Sequence, residues 1–397
     1  MTFDKTSLNL IEPHSEPSKE ARCGASSVEK VIKAAIQHNA TDVHIKSNRA
    51  SRVRILTELK KTDVYATDQD LYDFCNKYMP MDRDKIELFK SREIFSIDST
   101  VVVFQRRLRL HLYRSNNDVC CTLRLLSEKI PKLETLNLPN SLSKFIGQKS
   151  GLVLITGATG SGKTTTIASI INEINQTRKC FILTIEDPVE YLYVEAEATV
   201  EQREVGHDVK SFNAATVDAL REDPDVIVVG EMRDLETIQN AITLAETGHL
   251  VFGTLHTKSV VESIDRIVDI FPPSQQTQIR VQLTSVLNGI VHQQMLRSGD
   301  HVVVLCEVLM MDNVLSGLLK NPNNRQSSIR DHMRSRTDSG CVHLVDNVFW
   351  HINSGRLKPR DLENILSDDD LRLLASRLST LAPVSKNNPQ SASKNQH

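Results

Sequence analysis

Apolar residues at Val28, Val31, Ile32, Ala35 and Ile36 recur at helical spacing, which predicts an amphipathic helix opening at Ser27. The alternation through Ala40-Thr41-Asp42-Val43-His44-Ile45 predicts a strand after it. A second helix is read over Asp70–Tyr78, followed by strands over Glu93–Ile97, Arg107–Tyr113 and Val119–Leu126. Together they form an α+β unit of about a hundred residues, an ordinary domain size. The stretch 130–139 carries Pro131 and Pro139 without a regular period and reads as a linker. Beyond it the pattern changes. Continuous apolar runs at Gly151–Thr156, Phe181–Ile185, Val226–Val229 and Leu250–Leu255 alternate with helical patterns, the mark of a parallel sheet covered on both faces. The C-terminal part reads as mostly helical, from Gln275 to Leu296 and again from Asp361 to Leu381. Residues 1–26 and 383–397 are polar and aperiodic and read as mobile tails, leaving domains at 27–129 and 140–382.

The chemistry concentrates where the first apolar run ends. Gly157-Ala158-Thr159-Gly160-Ser161-Gly162-Lys163-Thr164 stands between a strand pattern and a helix pattern that continues from Thr165. Glycines there let successive N–H groups turn toward phosphate oxygens, and the following helix adds the positive end of its dipole. Gly157, Thr159, Gly160, Ser161, Gly162, Lys163, Thr164 and Thr165 are therefore the expected nucleotide contacts, with Lys163 on the β/γ-phosphates and the Thr164 hydroxyl on Mg²⁺. In a doubly wound sheet ligands collect at the carboxyl ends of the strands, so polar groups placed directly after the other apolar runs complete the site. Glu186 follows one run and is expected to orient or deprotonate the attacking water. Glu231 follows another, read as lying beside the P-loop strand, and is expected to hold Mg²⁺ through a water together with Thr164. His256 follows the third and is expected to contact the γ-phosphate, with His249 helping at the same edge.

Composition narrows the surroundings. A formal net charge of -2 offers no general attraction to nucleic acid or acidic lipid. The seven cysteines are scattered with no Cys-x-x-Cys pair, which removes the usual zinc frameworks and fits a reducing, cytoplasmic setting. No apolar run reaches bilayer-spanning length, so any membrane association would be peripheral. The exception to the even charge is a stripe of Arg106, Arg107, Arg109, Arg114 and Arg124. Strand alternation places Arg107 and Arg109 on one face, opposite Arg106 and Leu108, and guanidinium donors match phosphate geometry. That face is read as meeting a nucleotide, with nucleic acid as the rival ligand and a plain solvated surface as the bland alternative.

Three blocks go beyond a generic P-loop protein: Gln202-Arg203-Glu204-Val205-Gly206, the run from Leu220 to Asp234, and Ala245-Glu246-Thr247-Gly248-His249 through His256-Thr257. With the acidic Thr184–Glu190 box they resemble the secretion-ATPase superfamily, and within it the PilT branch of type IV pilus retraction ATPases. The resemblance implies a RecA-like P-loop NTPase domain with a mainly parallel sheet, an α/β fold, preceded by a smaller α+β PAS-like domain. It implies a homo-hexamer working on an inner-membrane pilus or secretion platform protein, with a second pilus ATPase as a further partner, ATP and Mg²⁺ as cofactors and no nucleic acid partner. It also implies that Arg109 and Arg124 reach the nucleotide, that Glu186 is the catalytic glutamate, and that His249 and His256 form the family's histidine box.

Asn313–Lys320 stands where retraction ATPases usually carry an Ala-Ile-Arg-Asn-Leu-Ile-Arg-Glu-like helix, and the four-cysteine insertion of assembly ATPases has no counterpart. The expected function is a hexameric ATP-hydrolysing motor that powers pilus retraction or disassembly. An accessory pilus ATPase or a type IVB secretion or conjugation ATPase of the DotB kind is the alternative. A nucleic-acid translocase and a non-hydrolysing ring subunit are the readings from other classes.

Overall fold

The computed structural model describes residues 26–55, 58–126, 129–299, 301–321, 326–336, 339–362 and 365–380. The expected tails, Ser26 apart, and Cys23 and Leu381 lie outside them. Two units are distinguished, Met1–Ile130 with Pro188–Tyr193, and Pro131–Asp187 with Val194–His397.

The first unit runs α1 (Ser26–Gln37), β1 (Asp42–Lys46), β2 (Ala50–Ile55), β3 (Glu58–Tyr65), α2 (Asp68–Tyr78), α3 (Arg83–Ser91), β4 (Ser96–Val103), β5 (Arg106–Ser115) and β6 (Asp118–Leu125). Its six strands form one antiparallel sheet in the order β3-β2-β1-β6-β5-β4. Strand β5 shows why the sheet has one dry face. Leu108, Leu110 and Leu112 are fully buried, each contributing about 2 kcal/mol of apolar burial, while Arg109 between them is exposed. They join Val28, Val31 and Ile32 of α1 and Leu71 and Phe74 of α2 in one core. Helix α2 starts where Thr67 and Asp70 make reciprocal capping hydrogen bonds, satisfying amides that have no partner inside the helix. Arg114 does not belong to the arginine stripe. It shares the parity of Leu112, and its guanidinium donates to the Phe89 carbonyl (3.0 Å) and the Tyr72 hydroxyl (3.2 Å).

The second unit opens with short 3-10 turns at Leu133–Leu136 and Asn140–Phe145, so part of the stretch read as a linker is folded. It continues through β7 (Gly151–Thr156), α4 (Lys163–Thr177), β8 (Phe181–Glu186), β9 (Thr199–Glu204), α5 (Phe212–Ala219), β10 (Val226–Val229), α6 (Leu235–Glu246), β11 (Leu250–Leu255), α7 (Val260–Asp269), α8 (Pro273–Val286), β12 (Leu287–Ser298), β13 (His301–Met310), α9 (Asn313–Lys320), α10 (Gln326–Ser335), α11 (Leu344–Asn353) and α12 (Asp368–Thr380). The seven strands form one sheet in the order β13-β12-β7-β11-β10-β8-β9, parallel throughout except for β13.

Two sequence expectations fail here. The helix read from Gln275 to Leu296 ends at Val286, where Leu287 turns extended and the chain enters β12, pairing in parallel with the P-loop strand β7. The helix read from Asp361 is a 3-10 turn at Pro359–Leu362 followed separately by α12. The C-terminal helices and the segment joining them bury their own cluster of Val345, Val348, Leu357 and Leu374 against Val303 and Leu305 of β13.

Candidate nucleotide-hydrolysis site

Strand β7 is buried at every position and releases the chain at Gly157, so the P-loop begins on a rigid support. Gly157, Gly160 and Gly162 have φ of 137°, 77° and 93°, a region that L side chains rarely adopt. A Cβ on Gly157 would meet the Gln293 carbonyl oxygen at 2.2 Å and Ser161 Oγ at 2.7 Å, so the loop is pressed onto β12. Helix α4 starts at Lys163 with no capping side chain at Gly162. Ser161 Oγ is buried without a hydrogen-bond partner. A left-handed glycine cradle, an uncapped helix N-terminus and an orphaned hydroxyl fit a phosphate chain. Lys163 Nζ donates to the carbonyls of Gly157 (2.8 Å) and Ala158 (3.0 Å), which holds the ammonium across the mouth of the loop. Thr159 and Gly160 are exposed, and Thr164 and Thr165 half-buried on the first turn of α4.

Glu186 ends β8, and its Oε1 accepts from Thr184 Oγ1 (2.7 Å) and Gln202 Nε2 (3.3 Å). Neighbouring β10 leads through Gly230, whose added Cβ would come 3.3 Å from Glu186 Cα, into Glu231. Glu231 Oε1 lies 2.5 Å from Arg233 Nε and 3.0 Å from His256 Nε2. The expectation that Glu231 sits on the strand beside β7 is corrected: β11 lies between β10 and β7. That insertion is what brings His256, at the end of β11, against Glu231. Sequence reasoning assigned no role to Arg233, Gln202 or Thr184, although all three lie in the motifs it singled out.

His249 does not share the edge of His256. It precedes the six-residue β11, its carbonyl accepts from Gly151 at the start of β7, and its Nδ1 faces the Leu244 carbonyl (2.9 Å). Six strand residues span about 20 Å, which puts His249 at the opposite end of the sheet from the P-loop. Arg109 and Arg124 belong to the first unit, where they stand directly opposite one another on β5 and β6. Asp42, 7% exposed, holds Arg124 through Nε (2.9 Å). Burial pushes its carboxyl up, but hydrogen bonds from Arg124 and Thr41 outweigh burial and hold it below the ordinary aspartate value.

Strand β12, hidden from sequence reasoning by its helical spacing, supplies two more groups. Gln293 Nε2 donates to Thr166 Oγ1 of α4 (2.8 Å). His292 pairs in register with Thr156, and its Nδ1 lies 3.3 Å from the Thr156 hydroxyl. Burial pushes the His292 imidazole down to about 4. Unfolded, it titrates near its usual value of about 6.5. Above that pH it is neutral in both states and stability is unaffected. As pH falls toward 4 only the unfolded chain gains the proton, so stability falls, by about 3 kcal/mol for the whole window. The expected result is that His292→Asn loses less thermal stability than the wild type between pH 7 and 4, with His343, also pushed down to about 4, keeping part of the slope.

Among the described residues no group of three or more His, Cys, Asp and Glu could hold a metal by itself. Thr164, half-buried on the first turn of α4, and Glu231, paired with Arg233 and His256, are the two side chains expected at an ion. Also among the described residues, no helix is long and apolar enough to cross a membrane.

Comparison with known proteins agrees with this geometry. Residues 19–349 match the T2SSE family, described as Type II/IV secretion system protein. The chain is 35% identical over 331 residues to the uncharacterized protein YggR of Escherichia coli, covering 83% of this chain and 99% of the other. It is 34% identical over 299 residues to the type IV pilus retraction ATPase PilT of Pseudomonas aeruginosa, covering 74% and 85%. The crystal structure of the pilus retraction motor PilT with bound ADP superposes with a TM-score of 0.71 at 38% identity, covering 85% of this chain and 98% of that one. A RecA-like sheet, a phosphate cradle and two glutamates on neighbouring strand ends thus come with a family match over most of the chain, and the chain belongs to the Type II/IV secretion system protein family as a PilT-like P-loop ATPase.

Proposed function

We propose that the chain is the motor subunit of a homo-hexameric ring that hydrolyses ATP to retract or disassemble type IV pili. The observation that carries the reading is the convergence of Lys163, Glu186 and Glu231 on one end of a sheet whose chain parallels a pilus retraction motor over nearly its full length. The amides of the P-loop and Lys163 hold the phosphates. Glu186, fixed by Thr184 and Gln202, orients the attacking water in line with the γ-phosphate. His256 reads the γ-phosphate side through its contact with Glu231. Thr164, and Glu231 through a water, would hold Mg²⁺, which would supply charge neutralisation at the phosphates. By the family resemblance Arg109 and Arg124 are the cationic donors for the nucleotide, and Asp42 holds Arg124 through Nε. The work is done on an inner-membrane platform protein, with a second pilus ATPase as an accessory partner.

Two measurements test this. Turnover per subunit is expected to rise with protein concentration as rings assemble, and Arg109→Ala is expected to lower it by about tenfold or more at every concentration, since an arginine finger contributes orders of magnitude in rate. Concentration-independent turnover would sink the ring. In piliated cells lacking their own retraction ATPase, expression of the chain is expected to restore twitching. Hydrolysis without motility would move the reading to the secretion alternative.

A further inference from the structure

Next to the P-loop strand, four polar side chains form one buried row. Thr257 Oγ1 lies 2.6 Å from Ser263 Oγ, Ser263 Oγ lies 3.4 Å from Thr156 Oγ1, and Thr156 Oγ1 lies 3.3 Å from His292 Nδ1. Ser263 Oγ also reaches the Ser259 carbonyl at 2.8 Å. Thr156 and Ser263 are fully buried, and Thr257 and His292 nearly so. Burying hydroxyls and an imidazole costs free energy unless they satisfy one another, and apolar residues would fill the same space without that cost.

Both ends of the row adjoin residues of the candidate site. Thr257 follows His256, whose ring meets Glu231. Thr156 precedes Gly157, and His292 precedes Gln293, whose carbonyl lies under Gly157 and whose amide holds Thr166 of α4. The row is therefore a side-chain link between the P-loop with its supporting strand and the loop that carries His256.

We propose that His292 is a positioning residue for ATP hydrolysis: through Thr156, Ser263 and Thr257 it keeps the His256 loop in register with the P-loop. The inference rests on the reading of Glu231 and His256 as the γ-phosphate side of the site. It separates two readouts. ADP is held by the P-loop amides and Lys163, whereas register with His256 matters only when a γ-phosphate is present.

The test is steady-state hydrolysis, ADP binding by calorimetry and thermal unfolding of the full chain for His292→Leu, Thr257→Val, the double variant and His292→Asn. Each of the first two is expected to lower kcat by about tenfold while the ADP Kd stays within about twofold, a size typical of coupling within one polar network. The double variant is expected to be no worse than the weaker single one. His292→Asn, which returns a polar partner to Thr156, is expected to recover most of the loss. Multiplying losses in the double variant, or unchanged kcat in both single variants, overturns the proposal. So does a fall in ADP affinity that tracks the melting temperature, which is what a purely structural role predicts. Glu231→Gln separates the layers: if it leaves turnover intact the underlying reading falls, whereas if it is inactive and the cycle is additive only the coupling falls.

Discussion

Replacing Glu186 by Gln is expected to lower kcat by about 10²- to 10³-fold while ADP binding stays close to wild type. The substitution keeps the shape of the side chain, and Thr184 Oγ1 can still donate to the remaining carbonyl oxygen, so β8 and its pairing with β10 are not disturbed. What is lost is the charge. A carboxylate accepts from both protons of a positioned water and takes one as the bond to phosphorus forms, and a group in that role contributes about 10²- to 10⁴-fold. The amide accepts only at one oxygen and cannot take a proton. Gln202, which donates to the same oxygen at 3.3 Å, sets up the control: Gln202→Ala should cost far less, because it only steadies the glutamate. Turnover of Glu186→Gln above about a tenth of wild type would remove Glu186 from the chemistry and make Glu231 the next carboxylate to test.

The parts of this site legible in the sequence are those where local pattern and tertiary role coincide. Val226–Val229 and Leu250–Leu255 are buried at every position, so they read as continuous apolar runs, and Glu231 two residues after the first and His256 directly after the second mark the ligand end. Strand order is a different kind of fact. Nothing in Val226–Val229 states that β11 intervenes before β7, because the insertion is decided by crossover connections and not by the strand's own residues. Strand β12 was hidden for a sharper reason. Leu283, Val286, Leu287, Ile290 and Val291 continue at helical spacing across the junction, and only pairing with β7 makes the second half a strand. With β12 went His292 and Gln293, although both are polar residues in an apolar setting. His249 and His256 look equivalent in sequence, yet one opens and the other follows the same strand, so direction along the sheet separates them.

The second large effect belongs to Gly157, and here the expected loss is of the fold of the site itself. At φ of 137° a Cβ is strained whatever the space, and the added atom would stand 2.2 Å from the Gln293 carbonyl oxygen. That carbonyl belongs to β12, a strand paired on both edges by β7 and β13, so it has little freedom to retreat. Overpacking costs about 1–3 kcal/mol and a disallowed backbone region about 1–2 more, so Gly157→Ala should destabilise by about 3 kcal/mol or more. In a domain of this size that is a fall in Tm of about 10 °C. The strain can be relieved only by moving the loop off β12, which breaks the cradle, so ADP binding should fall beyond detection as well. Gly206→Ala tests whether the contact or the backbone is responsible. Gly206 also has positive φ, at 87°, but a Cβ there meets nothing within 4 Å. Its variant should lose about 1–2 kcal/mol, from backbone strain alone, and keep ADP binding. Equal losses in the two variants would mean that backbone strain alone sets the cost and that the close approach of β12 to the P-loop does not constrain the nucleotide site.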